Sequence, residues 1–210
     1  MTALTRRKLL SYLGVAAVGG VGTGIVLGSS ESPHPEPTVG TVDPDTDPVS
    51  EDETPYAVWQ YRADGDGMVS TAPINVVFPL ASASFEDVVS VFEETGWYSD
   101  PAEYARYAWD RKTQNYRLQQ WTGAETYFGL AGRLHVRCWE LDDTASVQAH
   151  VDTPATPRHR IASYADGRDA VEQLFRTAGW TVESEREPLG NDRNPDHDGL
   201  ASVITAGDGR

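Results

Sequence analysis

The chain has 210 residues, enough for one core of ordinary size with appendages and too few for two full domains. It carries 32 Asp plus Glu against 17 Lys plus Arg, a net charge of −15, so bulk electrostatic binding to nucleic acid or anionic lipid is not expected. A single cysteine, Cys138, excludes an internal disulfide framework and a cysteine-based zinc site.

Thr5-Arg6-Arg7-Lys8-Leu9-Leu10 opens an uncharged stretch that reaches Gly28 and resembles a twin-arginine export signal. Residues 1–28 are therefore expected to be a signal, or a membrane anchor if left uncleaved, and the protein is expected outside the cytoplasm, tethered or secreted. As a helix, the twenty uncharged residues 9–28 reach about 30 Å, the thickness of a bilayer core. Residues 29–55 hold eight acids, six prolines and no Lys or Arg, the composition of an extended, disordered spacer. A folded domain is expected over 56–187 and a second disordered acidic tail over 188–210. In that tail Asn194-x-Asp196-x-Asp198-Gly199 imitates the start of a calcium loop, but Thr205 stands where the closing Glu belongs. With only Lys8 and Lys112 as lysines, the composition resembles that of proteins from salt-loving archaea.

Inside the domain, Asp64-Gly65-Asp66-Gly67 reads as a turn between extended runs at 56–61 and 68–71. Residues 85–97 and 168–180 form a near-repeat with apolar side chains at i, i+3, i+4 and i+7, so both are predicted as amphipathic helices. Ser84 and Asp166 are the expected N-caps, and Gly96 and Gly179 the left-handed C-terminal stops. Strands are predicted over 74–80, 133–141, 146–153 and 181–187, with 98–132 as an insertion. The order β-α-β-β-α-β is that of an α+β, ferredoxin-like split βαβ fold: an antiparallel sheet with two helices on one face.

The turn Asp142-Asp143-Thr144-Ala145 sets Leu141 opposite Ser146, Arg137 opposite His150 and His135 opposite Asp152. Leu134, Val136, Cys138, Val147, Ala149 and Val151 then share the helix-covered face. Arg133, His135, Arg137, Trp139, Gln148, His150 and Asp152 share the other, with Asn75 beside them, and that face is expected to be open to water.

Pro73-Ile74-Asn75-Val76-Val77, Gly132-Arg133-Leu134-His135-Val136-Arg137-Cys138-Trp139, His159-Arg160-Ile161, Asp166-x-Arg168-Asp169 and Ala178-Gly179-Trp180, in that order, resemble the LssY carboxy-terminal domain family over residues 72–182. The resemblance implies no activity, and the chain lacks the phosphatase-type membrane domain that members often follow.

Three readings of function are open. The first gathers Asn75, His135, Arg137, Trp139, His150, Asp152, His159, Arg160 and Arg168 into a site for an anionic small molecule or lipid head group, with no cofactor. In the second, His135, His150 and Asp152 hold a metal for hydrolysis, although their spacing fits no metal motif. The third is an interaction module for a cell-envelope protein or glycan, using the aromatic insertion over 97–128.

Overall fold

A computed structural model describes residues 50–99, 104–125, 132–154 and 160–207. The expected signal or anchor and residues 29–49 of the expected spacer lie outside these residues. Among the described residues no helix is long and apolar enough to cross a membrane.

In chain order the elements are β1 (Trp59–Asp64), β2 (Gly67–Pro73), β3 (Val76–Pro79), α1 (Phe85–Glu94), β4 (Tyr98–Ser99), β5 (Tyr107–Asp110), β6 (Asn115–Leu118) and β7 (Trp121–Ala124). There follow β8 (Leu134–Leu141), β9 (Thr144–Asp152), β10 (Ile161–Ser163), α2 (Ala165–Thr177), β11 (Thr181–Val182), β12 (Glu187–Pro188) and β13 (Leu200–Thr205). One sheet of four strands has the order β2-β1-β5-β6. The other, of nine, runs β11-β13-β3-β9-β8-β7-β4, with β10 on β9 and β12 on β13.

The ferredoxin-like expectation is overturned by these two sheets. Central pairing β3-β9-β8 under two helices is present, but the strand beside β3 is β13, parallel to it, and not residues 181–187. The expected acidic tail therefore supplies an interior strand: Ala201 and Val203 pack to one side and Ile204 to the other. The expected insertion over 98–132 is also structural, since β5 and β6 complete the small sheet and β4 and β7 extend the large one. Part of the expected spacer folds too, because Thr54 is buried and Glu51 accepts from the backbone N–H of Val58 and Trp59.

Both helices follow from local chemistry. Ser84 Oγ accepts the Asp87 N–H and Asp87 Oδ2 accepts the Ser84 N–H, a reciprocal cap on α1. At the other ends Gly96 (φ 90°) and Gly179 (φ 85°) take the left-handed conformation. Trp97 N–H then bonds Phe92 C=O, and Trp180 N–H bonds Phe175 C=O. The Asp166 cap is a correction: α2 starts at Ala165, and its N-cap residue Tyr164 makes no side-chain capping bond.

One core lies between the helices and the large sheet, where Phe85, Val88, Phe92, Phe175 and Trp180 meet Val76, Phe78, Val136, Cys138, Val147 and Ala149. Full burial of each large apolar side chain there contributes about 1.5–3 kcal/mol. On the sheet's opposite face, Val77, Trp139, Leu141 and Ala201 meet Val58, Trp59 and Ala108 of the small-sheet segment. Helices, large sheet and small sheet thus form three layers, and the hairpin face expected to be open to water is covered. The small sheet can cover it because buried polar groups are tolerated when they bond one another.

Candidate functional site

The β8–β9 hairpin carries the site, with a register two residues from the expected one. Leu141 pairs with Thr144, Arg137 with Gln148 and His135 with His150, because the turn is the two-residue Asp142-Asp143, Asp142 being left-handed at φ 57°. A shift of two leaves every side chain on its expected face. Thr122 of β7 stands beside Arg137, and Ala124 beside His135.

A chain of hydrogen bonds crosses this covered layer. Gln60 Nε2 donates to Thr71 Oγ1 (2.8 Å), which turns Gln60 Oε1 toward Arg137, whose Nη1 donates to it at 3.2 Å. The same Nη1 donates to Gln148 Oε1 at 3.4 Å. Next comes His150, with Nδ1 3.0 Å from Gln148 Nε2 and 3.1 Å from its Oε1, and Nε2 3.1 Å from Asp152 Oδ1. Arg133 Nε closes the series on Asp152 Oδ2 at 3.1 Å. Burial works to raise the Asp152 carboxyl, but the bond from His150, the charges of His150 and His135 and the bond from Arg133 hold it at about 2. It is therefore an anion near neutrality. His135 stands edge-on to His150, ring centroids 5.1 Å apart.

Three arginines from separate elements enter the layer. Arg106, just before β5, is buried; burial and then the nearby charge of Arg137 lower it to about 10. Arg193 comes from the loop between β12 and β13 and lies over the Trp59 ring, 5.3 Å from its centroid. Its Nε and Nη1 are buried and have no hydrogen-bond partner among the described residues, and the same holds for Trp139 Nε1. The charges of Arg193 and Arg137 both act on Tyr164. Burial pushes its hydroxyl up to about 12, with the two arginines opposing that rise and Asp196 adding to it.

The remaining sequence-predicted residues divide clearly. Asn75 is fully buried, but its amide bonds Ala149 N–H and C=O and the Tyr164 C=O, standing in for a strand partner just before β3 begins. Arg168 is bidentate to Asp198 (2.6 and 3.0 Å) and also bonds Leu200 C=O, so it ties α2 to β13. Arg160 is exposed, its backbone paired with Thr153. His159 lies outside the described residues. Of the proposed metal set, His150 has both ring nitrogens in hydrogen bonds and Asp152 has both oxygens engaged. Among the described residues no group of three His, Cys, Asp or Glu side chains converges on a metal position.

No family model, curated protein or solved structure matches the chain.

Sequence reasoning missed Gln60, Thr71, Arg106, Tyr164 and Arg193. The first two lie in the predicted β1–β2 hairpin, but nothing local says that this hairpin packs on another sheet. Arg193 sits in a polar tail whose only sign of order is the apolar run Leu200–Thr205. The aromatic insertion is mostly framework: Trp97 and Trp121 are in the core and Trp109 packs on Tyr116, while Tyr98 and Tyr104 are about half exposed. Tyr127 and Phe128 lie outside the described residues. A shallow depression lined by Tyr56, Trp109, Lys112, Leu141 and Asp142 sits at the hairpin tip, away from the arginine layer.

Proposed function

We propose that this is an exported binding domain for a small oxyanion, a phosphate- or carboxylate-bearing molecule held between its two sheets. The observation that carries the reading is the environment of Arg193: two nitrogens of its guanidinium are buried with no acceptor among the described residues, and its charge and that of Arg137 both act on Tyr164. Buried donors without acceptors are costly, and charge-assisted bonds to an oxyanion are the strongest way to satisfy them. The fork of a guanidinium also matches carboxylate and phosphate geometry. Reach from the interior layer favours a free small anion over a head group held in a membrane, and the arginine-pair amino terminus supports a position outside the cytoplasm.

Calorimetric titration of the full chain with sulfate, inorganic phosphate and glycerol phosphate tests this, with vesicles containing phosphatidic acid as a separate arm. The expected result is saturable binding of the small anions, weakened at least tenfold in Arg193→Ala and partly restored in Arg193→Lys. Equal affinity in the native protein and Arg193→Ala, with both folded by circular dichroism, would overturn it. Binding confined to vesicles would replace the small anion by a lipid head group.

A further inference from the structure

We infer that anion binding between the sheets is coupled to proton uptake at Nδ1 of His150, so that the site binds its anion more tightly as pH falls. This rests on the oxyanion reading and adds its regulation.

The geometry assigns the titrating atom. Asp152 Oδ1 sits 3.1 Å from His150 Nε2, and an anionic carboxylate there keeps the proton on Nε2. Nδ1 is then the atom that gains or loses a proton. Its neighbour is an amide with both ends in reach, Gln148 Nε2 at 3.0 Å and Oε1 at 3.1 Å. Neutral His150 accepts from the amide N–H₂. Protonated His150 donates to the amide oxygen, the same oxygen that Arg137 Nη1 contacts at 3.4 Å. Protonation therefore places a second cation on the oxygen that Arg137 uses. It adds positive charge one side chain from the arginine layer and weakens the hold of Gln148 on Arg137. Both effects favour an anion, and by linkage the bound anion favours the proton.

Charged or titratable groups around His150 include Asp152 on its own strand and Arg133, His135 and Arg137 from β8 and its approach. From α2 the backbone of Gly167 abuts the His150 backbone, and from the small sheet the neutral pair Gln60 and Thr71 reaches Arg137. Asp152 stays ionised throughout, so it fixes the proton on Nε2 without itself changing charge.

The test is calorimetric titration of the full chain with sulfate, which does not titrate in this range, at pH 8 and pH 5.5. The coupling predicts affinity about fivefold or more higher at pH 5.5. That gain should vanish in His150→Asn, and the Gln148 side-chain amide resonances of the native protein should shift with the same midpoint as the binding. Sulfate bound equally at both pH values would overturn the coupling and leave the binding reading intact. A pH gain retained in His150→Asn, or Gln148 resonances that do not titrate, would overturn it as well. Absence of sulfate binding at either pH would overturn both.

Discussion

Asp196 Oδ1 accepts the backbone N–H of Tyr164 at 2.7 Å across 32 residues of sequence. The same oxygen accepts the Ala165 N–H at 3.3 Å, and Oδ2 accepts the Ser163 hydroxyl. Helix α2 is thus capped from another part of the chain. The residue that resembled a calcium ligand supplies the oxygen its own N-cap lacks, in the position where a negative charge also meets the helix dipole. The capping segment is the loop 190–199, closed where Leu189 N–H and Gly190 N–H both bond Gly199 C=O.

Replacing Asp196 by Ala should therefore destabilise the domain by about 1–2 kcal/mol, the usual worth of an N-cap. Because the same loop carries Arg193, the change should also weaken sulfate binding. Urea unfolding of the full chain measures the first effect and calorimetry the second. An unchanged midpoint would show that water replaces the carboxylate without loss.

Gly167 allows α2 to cross β9 at close range. A Cβ there would lie 2.5 Å from His150 Cα and 2.6 Å from its backbone nitrogen, with backbone on the receiving side that cannot rotate away. Gly167→Ala is expected to lower stability by about 1–3 kcal/mol through overpacking, despite the better helix propensity of Ala. Thermal unfolding reads this directly, and a gain in stability would show that helix and strand separate freely.

The loop also buries an imidazole. His197 Nε2 meets Asn191 Oδ1 at 2.8 Å, and Asn191 Nδ2 donates to Val58 C=O (2.7 Å) and Ile74 C=O (2.9 Å). Burial, against the pull of Asp198, lowers His197 to about 4 from an ordinary 6.5. The unfolded chain then takes up the proton first. Stability should be complete above about pH 6.5 and fall as pH drops toward 4. A further loss is expected between about pH 4 and 2, where Asp152 and Asp198, each held at about 2 in the fold, become protonated. Denaturant midpoints across pH 8 to 2 measure both, and His197→Gln should flatten the upper segment alone.

Asn75 makes a separate case for structure over recognition. Asn75→Ala leaves the buried Ala149 N–H without its acceptor and is expected to cost about 1–3 kcal/mol. Asn75→Asp should do no better, since a carboxylate cannot donate to the Ala149 and Tyr164 carbonyls. Chemical denaturation of both variants decides the point.

The two helices and the faces of the central hairpin were legible because their signals are local. Ser84 with Asp87, Gly96 with Trp97, and the strict alternation from Leu134 to Leu141 need no knowledge of distant residues. Even a register misplaced by two preserved the side of the sheet on which His135, Arg137 and His150 stand. The two sheets were not legible, because β13 pairs in parallel with β3 across more than a hundred residues, and the strands of the small sheet are short and partly polar. The face that looked solvated is buried because Gln60, Gln148 and Thr71 satisfy its charges, a property of pairs on different strands. Arg193 and Asp196 lay in a segment whose composition reads as tail.

The parallel strand β13 also sets the order of assembly. It is the last strand in chain order among the described residues, and it occupies the slot between β3 and β11. Until Leu200–Thr205 leave the ribosome, the edge at Val76 and Val77 stays unpaired and the loop that delivers Arg193 has no strand to close it. Such an edge invites pairing with other chains. A product truncated near residue 199 should therefore aggregate however complete its helices and central hairpin are.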